Sequence, residues 1–222
     1  MKEAGKFNMN ASAEGVIKFH LTMQPGPPPP ADLSAPLRAW FRILRRLELL
    51  GQDPDRYLGY AYGNLSRRAN RGFIVTCTQT SGQWCLKPAD FTLVDGWDLA
   101  TNRLAARGPC KPSSEALTHA VIYEAIPACR FVFHVHSPQI WPQMEALGLA
   151  VTDPAAEYGT PEMAEATIEQ IDRLGRPPQG ILGMGGHEDG ILAWGASAEE
   201  AGNLLIGLLG CALTLDEQRF AG

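Results

Sequence analysis

The chain has 222 residues and a formal charge of −5, enough length for one large domain that folds without disulfides or a structural metal. Its basic residues are scattered apart from Arg45–Arg46 and Arg67–Arg68, which excludes the electrostatic footprint of a nucleic-acid binder. Five cysteines stand at wide spacing, Cys77, Cys85, Cys110, Cys129 and Cys211, with no C-x-x-C. That pattern argues against a disulfide framework or a cysteine zinc site and for a reducing compartment.

Residues 1–15 are small and polar, an expected frayed end, with no basic segment followed by an apolar one as in a signal peptide. No run approaches the roughly 18 apolar residues of a membrane span. A cytoplasmic protein with no membrane partner is therefore expected. "VIKFHLTM", 16–23, reads as a short strand, and "PGPPPP", 25–30, as a stiff connector, because proline lacks the N–H that helix and sheet ladders need. The organisation expected is an N-terminal extension with its proline-rich connector over 1–34, then one domain over 35–222.

Leu37, Trp40, Phe41, Leu44 and Leu47 recur at three and four, which predicts an amphipathic helix ended by Gly51. "QDPDR" is a loop, and 73–80 and 91–96 read as strands. A helix over 113–126 runs into the strand "FVFHVHSP", stopped by Pro138. Thr160 caps a helix over 160–174 with Pro161 in its first turn. "GILGMGGHEDGILAWG" reads as two short strands around a glycine-rich turn. Ser197 and Glu200 form a capping box for a last helix over 198–218. This interleaving of strands and helices predicts a sheet covered by helices on both faces, and by itself suggests parallel strands.

Side chains two apart on a strand share a face, so His134 and His136 point the same way. Two neutral imidazoles side by side can chelate one ion, although strand alternation also produces such pairs by chance. His187 in "MGGHEDG" offers a third nitrogen, with Glu188 and Asp189 as rival oxygen ligands; it also reads as a solvated loop histidine. Glu115 opens the 113–126 helix, where the dipole favours an acid in any case, and His119 lies one turn on. "YGNLSRR", "TQTSG" and the Ser113–Ser114 pair are each weak candidates for an anion cradle. The sequence has no Walker A, G-x-G-x-x-G or G-x-S-x-G motif.

In that order, "GNLSRR", "TQTSG", "SSEALTHAVIYEAIP", "FVFHVHSP", "EYGTPEMAE" and "GGHEDGILAWG" resemble the class II aldolase/adducin family from about residue 35 to the C-terminus. The family includes sugar-phosphate aldolases, an epimerase, a dehydratase and the non-catalytic adducin head. The resemblance implies a three-layer α/β/α sandwich with a mainly antiparallel central sheet, assembled as a homotetramer with active sites between subunits. It implies a divalent metal on His134, His136 and His187, zinc in the first place, with Mn2+, Co2+ or Fe2+ as the other ions for such a site. It makes Glu115 the catalytic acid/base or a fourth ligand, and leaves His119 outside the metal shell. It assigns an anionic substrate group to Gly63, Asn64, Thr80, Gly82, Ser113 and Ser114.

The activity implied is a lyase of aldol or retro-aldol type in carbohydrate metabolism, acting on a small hydroxylated carbonyl compound. Epimerisation, dehydration and decarboxylation are the alternatives on the same scaffold, and an adducin-like binding protein is the non-catalytic one. "HEDG" places two residues where the family has glycine directly after its third histidine, and "TQTSG" is longer than the family's turn. The family aldolase's tyrosine falls on Ala155, with Tyr158 three residues on as the candidate acid.

Overall fold

A computed structural model describes residues 15–220; the expected frayed end lies almost wholly outside them. Eleven strands and four α-helices are present among the described residues. In chain order they are β1 His20–Pro25, α1 Ala31–Arg46, β2 Gly51–Gln52, β3 Ala61–Tyr62, β4 Asn64–Arg68, β5 Phe73–Thr76, β6 Phe91–Asp98 and β7 Arg103–Gly108. Then follow α2 Ala116–Ala125, β8 Phe131–His136, β9 Ala150–Val151, α3 Pro161–Arg173, β10 Gly180–Gly183, β11 Gly190–Gly195 and α4 Ala198–Phe220.

Nine strands make one sheet in the order β1-β7-β6-β5-β4-β8-β11-β10-β9, and β2 pairs with β3 alone. The sheet is mixed. The pairings at its two edges, β1 with β7 and β9 with β10, are parallel, and those between them are antiparallel. This corrects both expectations, the parallel sheet of the interleaved pattern and the mainly antiparallel one of the resemblance. The physical reason lies in the connections. β4–β5, β6–β7 and β10–β11 are hairpins, which force antiparallel neighbours, whereas β1 and β9 reach their partners through long excursions that leave direction open.

Strand alternation sorts the core into two clusters. Phe131, Phe133 and Val135 of β8 join Leu37, Phe41 and Leu44 of α1 and Ala198, Ala201 and Leu205 of α4. Val132 joins Ala116, Leu117 and Ala120 of α2 and Met163 and Ile171 of α3. α1 stops at Arg46 and not at Gly51, so Leu47 falls outside the buried stripe and is exposed. The caps form as their residue types dictate: Thr160 Oγ1 accepts from Met163 N at 3.3 Å, and Ser197 Oγ accepts from Glu200 N at 3.1 Å.

Two expectations fail. Cys77 and Cys110 form a disulfide, their Cα atoms 5.8 Å apart, although 33 positions separate them. Sequence spacing says nothing about a pair that an antiparallel bridge between Cys77 and Pro112 brings together. In addition, α4 over Ala198–Arg219 is long and apolar enough, by length and composition, to cross a membrane. One side of it packs on α1, β8, β10 and β11, while Ile206 and Leu213 face outward. Two apolar faces on one helix produce that composition.

Candidate metal centre

β8 lies between β4 and β11 in the middle of the sheet, and all six of its residues are buried. His134 and His136 share the α2 and α3 face with Val132, as period-two geometry requires. Their Nε2 atoms are 3.0 Å apart. His187 arrives from the β10–β11 turn, its ring 5.0 Å from that of His134 and 4.7 Å from that of His136. One ligating nitrogen from each ring lies within 4.8 Å of the other two, and all three rings are buried.

Local backbone positions the third histidine. His187 N donates to Met184 O, and Gly190 N donates to His187 O, so the turn folds tightly back on itself. A Cβ on Gly186 would overlap the carbonyl oxygen of Ala156, so the close approach of that turn to the 153–158 loop demands glycine. Asp189 adopts a left-handed φ of 62° within the insertion.

Glu115 stands at the N-cap position of α2 and is buried among the imidazoles. Its Oε2 lies 2.8 Å from His134 Nε2, its Oε1 3.1 Å from His187 Nδ1, and Asn64 Nδ2 donates to Oε2 at 2.9 Å. Burial alone would raise its pKa, but the charges of His134 and His187 and their hydrogen bonds outweigh that and hold the carboxyl well below its usual range. Burial, followed by the nearby His187 and His134, holds His136 well below the usual histidine range. A neutral imidazole is the ligating form.

His134 Nδ1 lies 3.2 Å from the Ile191 carbonyl. A carbonyl only accepts, so Nδ1 carries a proton, and Nε2 is the nitrogen turned toward His136 and Glu115. Two basic nitrogens 3.0 Å apart, a third within 4.8 Å and a buried carboxylate beside them form the donor set of a divalent ion. The residues present therefore fit a metal.

His119 is turned away, its Nδ1 2.6 Å from Ser66 Oγ, which also meets Tyr123 Oη at 2.8 Å. Burial lowers its pKa to about 3, so it is a neutral core histidine. Tyr158 is at the site, its ring stacked on that of His187 at 4.6 Å. Lys18 Nζ sits 3.9 Å over the Tyr158 ring and pairs with Glu157 at 2.9 Å.

Of the six residues expected at an anion cradle, Gly63, Asn64, Ser113 and Ser114 come together, joined by Gly15, Ala61, Gln79 and Ser81. Thr80 Oγ1 instead donates to Cys77 O at 2.7 Å, and Gly82 lines a different cleft with Gln52, Pro54, Leu58 and Gly59. The two rival oxygen ligands are also placed elsewhere. Glu188 is exposed, and Asp189 accepts from Tyr57 Oη at 2.5 Å and from Arg56 Nη2 at 3.4 Å. Tyr57 in turn packs its ring edge-on against His136 at 4.7 Å. Sequence reading passed over Arg56 and Tyr57, because nothing in "QDPDRY" signals a partner more than 130 positions away.

The family description "Class II Aldolase and Adducin N-terminal domain" matches residues 54–213. The chain belongs to the class II aldolase and adducin family. Among solved structures of this family's fold, L-fuculose-1-phosphate aldolase from Thermus thermophilus aligns with a TM-score of 0.64 at 21% identity, over 86% of this chain and 96% of that one. Another L-fuculose 1-phosphate aldolase aligns with a TM-score of 0.65 at 20% identity, over 88% and 90%. YgbL from Klebsiella pneumoniae, described as a putative aldolase/epimerase/decarboxylase, aligns with a TM-score of 0.61 at 19% identity, over 84% and 89%. No curated protein sequence matches the chain. At these identities the neighbours speak for the shared fold of class II aldolases and adducins.

Proposed function

We propose that the chain is a metal-dependent lyase of aldol or retro-aldol type acting on a small hydroxylated carbonyl compound. The observation that carries this reading is the convergence of three buried imidazole nitrogens on Glu115. His134, His136 and His187 would hold a divalent ion, zinc first among the candidates. When bound, such an ion supplies Lewis acidity toward a substrate carbonyl and offsets negative charge that develops on C–C cleavage.

The chain's own residues do the rest. Glu115, held anionic beside His134 and His187, takes or returns the proton at its carboxylate. Asn64 Nδ2 fixes the orientation of Oε2. The Ile191 carbonyl sets the His134 tautomer, and the Tyr158 ring keeps His187 in plane. The hydroxyl of Tyr158 is the candidate donor to the leaving oxygen. A homotetramer is the assembly we infer, with the outward residues of α4, Ile206 and Leu213, as the support for a subunit contact.

Metal analysis of protein purified without chelators should find close to one divalent ion per chain, lost in His134→Ala. A panel of phosphorylated and non-phosphorylated ketoses, assayed for aldehyde release, tests the reaction. Wild-type protein that stays metal-free with zinc supplied would exclude the lyase.

A further inference from the structure

The pocket lined by Gly63, Asn64, Ser113 and Ser114 holds only about 10 Å³, less than or barely equal to the space of one water. The polar side chains on one wall are used inside the protein. Ser81 Oγ donates to Gly63 O at 2.6 Å. Gln79 Oε1 accepts from Ala61 N at 2.9 Å, its Nε2 donates back to Ala61 O at 3.4 Å, and Thr78 Oγ1 donates to Gly15 O at 3.3 Å. A phosphoryl group, with three oxygens to satisfy, does not have the volume there.

A cation stands near His136. Arg56 lies on the loop between β2 and β3, its guanidinium 4.8 Å from the Tyr57 ring and 4.9 Å from the Tyr62 ring. Both rings flank His136, at 4.7 and 5.5 Å. Only Nη2 is engaged, with Tyr57 Oη at 2.5 Å and Asp189 Oδ2 at 3.4 Å. Nε and Nη1 donate to no described residue, and the side chain keeps 24% of its surface open. The loop is held for this purpose at some conformational cost: Tyr57 and Leu58 both take left-handed φ, 50° and 57°. Asp189, which holds Tyr57 and Arg56, belongs to the two-residue insertion directly after His187. The insertion and the loop thus form one device at the rim of the metal centre.

We propose that Arg56, braced by Tyr57 and Asp189, is a specificity-determining subsite that takes a carboxylate of the substrate, and that the substrate carries no phosphoryl group. This deepens the lyase reading and rests on it. A planar guanidinium with a free edge matches a carboxylate in two parallel hydrogen bonds. Asp189 offsets part of the Arg56 charge, which suits a monoanion and opposes the dianion of a phosphate ester. The substrate class is therefore a hydroxylated carbonyl acid, its oxygens toward the histidines and its carboxylate toward Arg56.

Three small acids test this on zinc-loaded protein by calorimetry: glycolate, tartronate, which adds a second carboxylate, and 2-phosphoglycolate. Tartronate should bind about tenfold tighter than glycolate, one charge-assisted contact, and 2-phosphoglycolate no tighter than glycolate. Arg56→Gln should bring tartronate down to the affinity of glycolate. A preference for 2-phosphoglycolate over tartronate overturns the proposal, as does a tartronate-to-glycolate ratio that Arg56→Gln leaves intact. If wild-type protein takes up no zinc, the lyase reading fails separately. The subsite is then judged on metal-free protein, where tartronate should raise the melting temperature of wild type and not of Arg56→Gln; no rise in wild type overturns the subsite as well.

Discussion

Glu115 Oε2 lies 2.8 Å from His134 Nε2, and both side chains are buried to within 1% of complete exclusion from solvent. A carboxylate so placed is either a proton carrier or a ligand, and an isosteric amide separates the two. Glu115→Gln should keep close to one metal per chain through the three histidines. It should lower turnover on the reactive ketose by about 10²–10⁴-fold, the usual contribution of a general acid/base. Metal content by mass spectrometry beside initial rates is the check. Loss of metal together with activity would make Glu115 a ligand.

Removal of the ion should be visible without any substrate. A ligand that binds only the folded chain stabilises it by about 2.7 kcal/mol at a hundredfold excess over its dissociation constant. Melting of wild type should therefore drop on treatment with a chelator and recover with zinc, while His187→Ala should show neither change. A chelator-insensitive wild type would mean that the buried donor set takes no metal.

The Cys77–Cys110 disulfide closes a loop of 33 positions. Chain entropy assigns a loop of that length roughly 3–4 kcal/mol, which for a domain of this size is on the order of 6–15 °C in melting temperature. Cys110→Ser, or wild type in dithiothreitol, should melt lower by that amount. Alkylation of denatured, unreduced protein should label three cysteines, Cys85, Cys129 and Cys211. Five labels would show that the pair stays reduced, as the expected cytoplasmic setting would have it.

His119 should make the fold acid-sensitive. Burial depresses its pKa from 6.5 to about 3, so the unfolded chain binds a proton that the folded chain refuses. The stability it contributes is complete above pH 6.5 and is lost as pH falls from 6.5 toward 3, to a limit of about 4–5 kcal/mol. Denaturant titrations of wild type and His119→Gln across that window should converge as pH falls, because the variant lacks this proton. Parallel curves would mean that His119 is protonated within the fold.

Much of the site was legible in the residues themselves. Period-two alternation put His134 and His136 on one face, a relation that any strand geometry enforces. The glycines around His187 marked a close turn, and the family resemblance tied Glu115 to the same centre. The caps at Thr160 and Ser197 follow from local hydrogen bonding and need no tertiary context. The strands β7 and β4 were missed, since they carry polar residues that a hydrophobic pattern does not register: Arg103 and Arg107, or Asn64, Ser66, Arg67 and Arg68.

By itself the sequence determined which side chains were available and which neighbours along the chain would share a face, because those depend on backbone periodicity and local caps. Only the tertiary structure decided what meets across long separations. It set the parallel edges of the sheet, joined Cys77 to Cys110, turned Thr80 and Gly82 away from the cradle and closed Gln79 over it. It also carried Asp189 of the insertion to Tyr57 and Arg56 instead of to the histidines. Those contacts are set by the packing of the sheet and the paths of its loops, and no residue type or spacing along the chain encodes them locally.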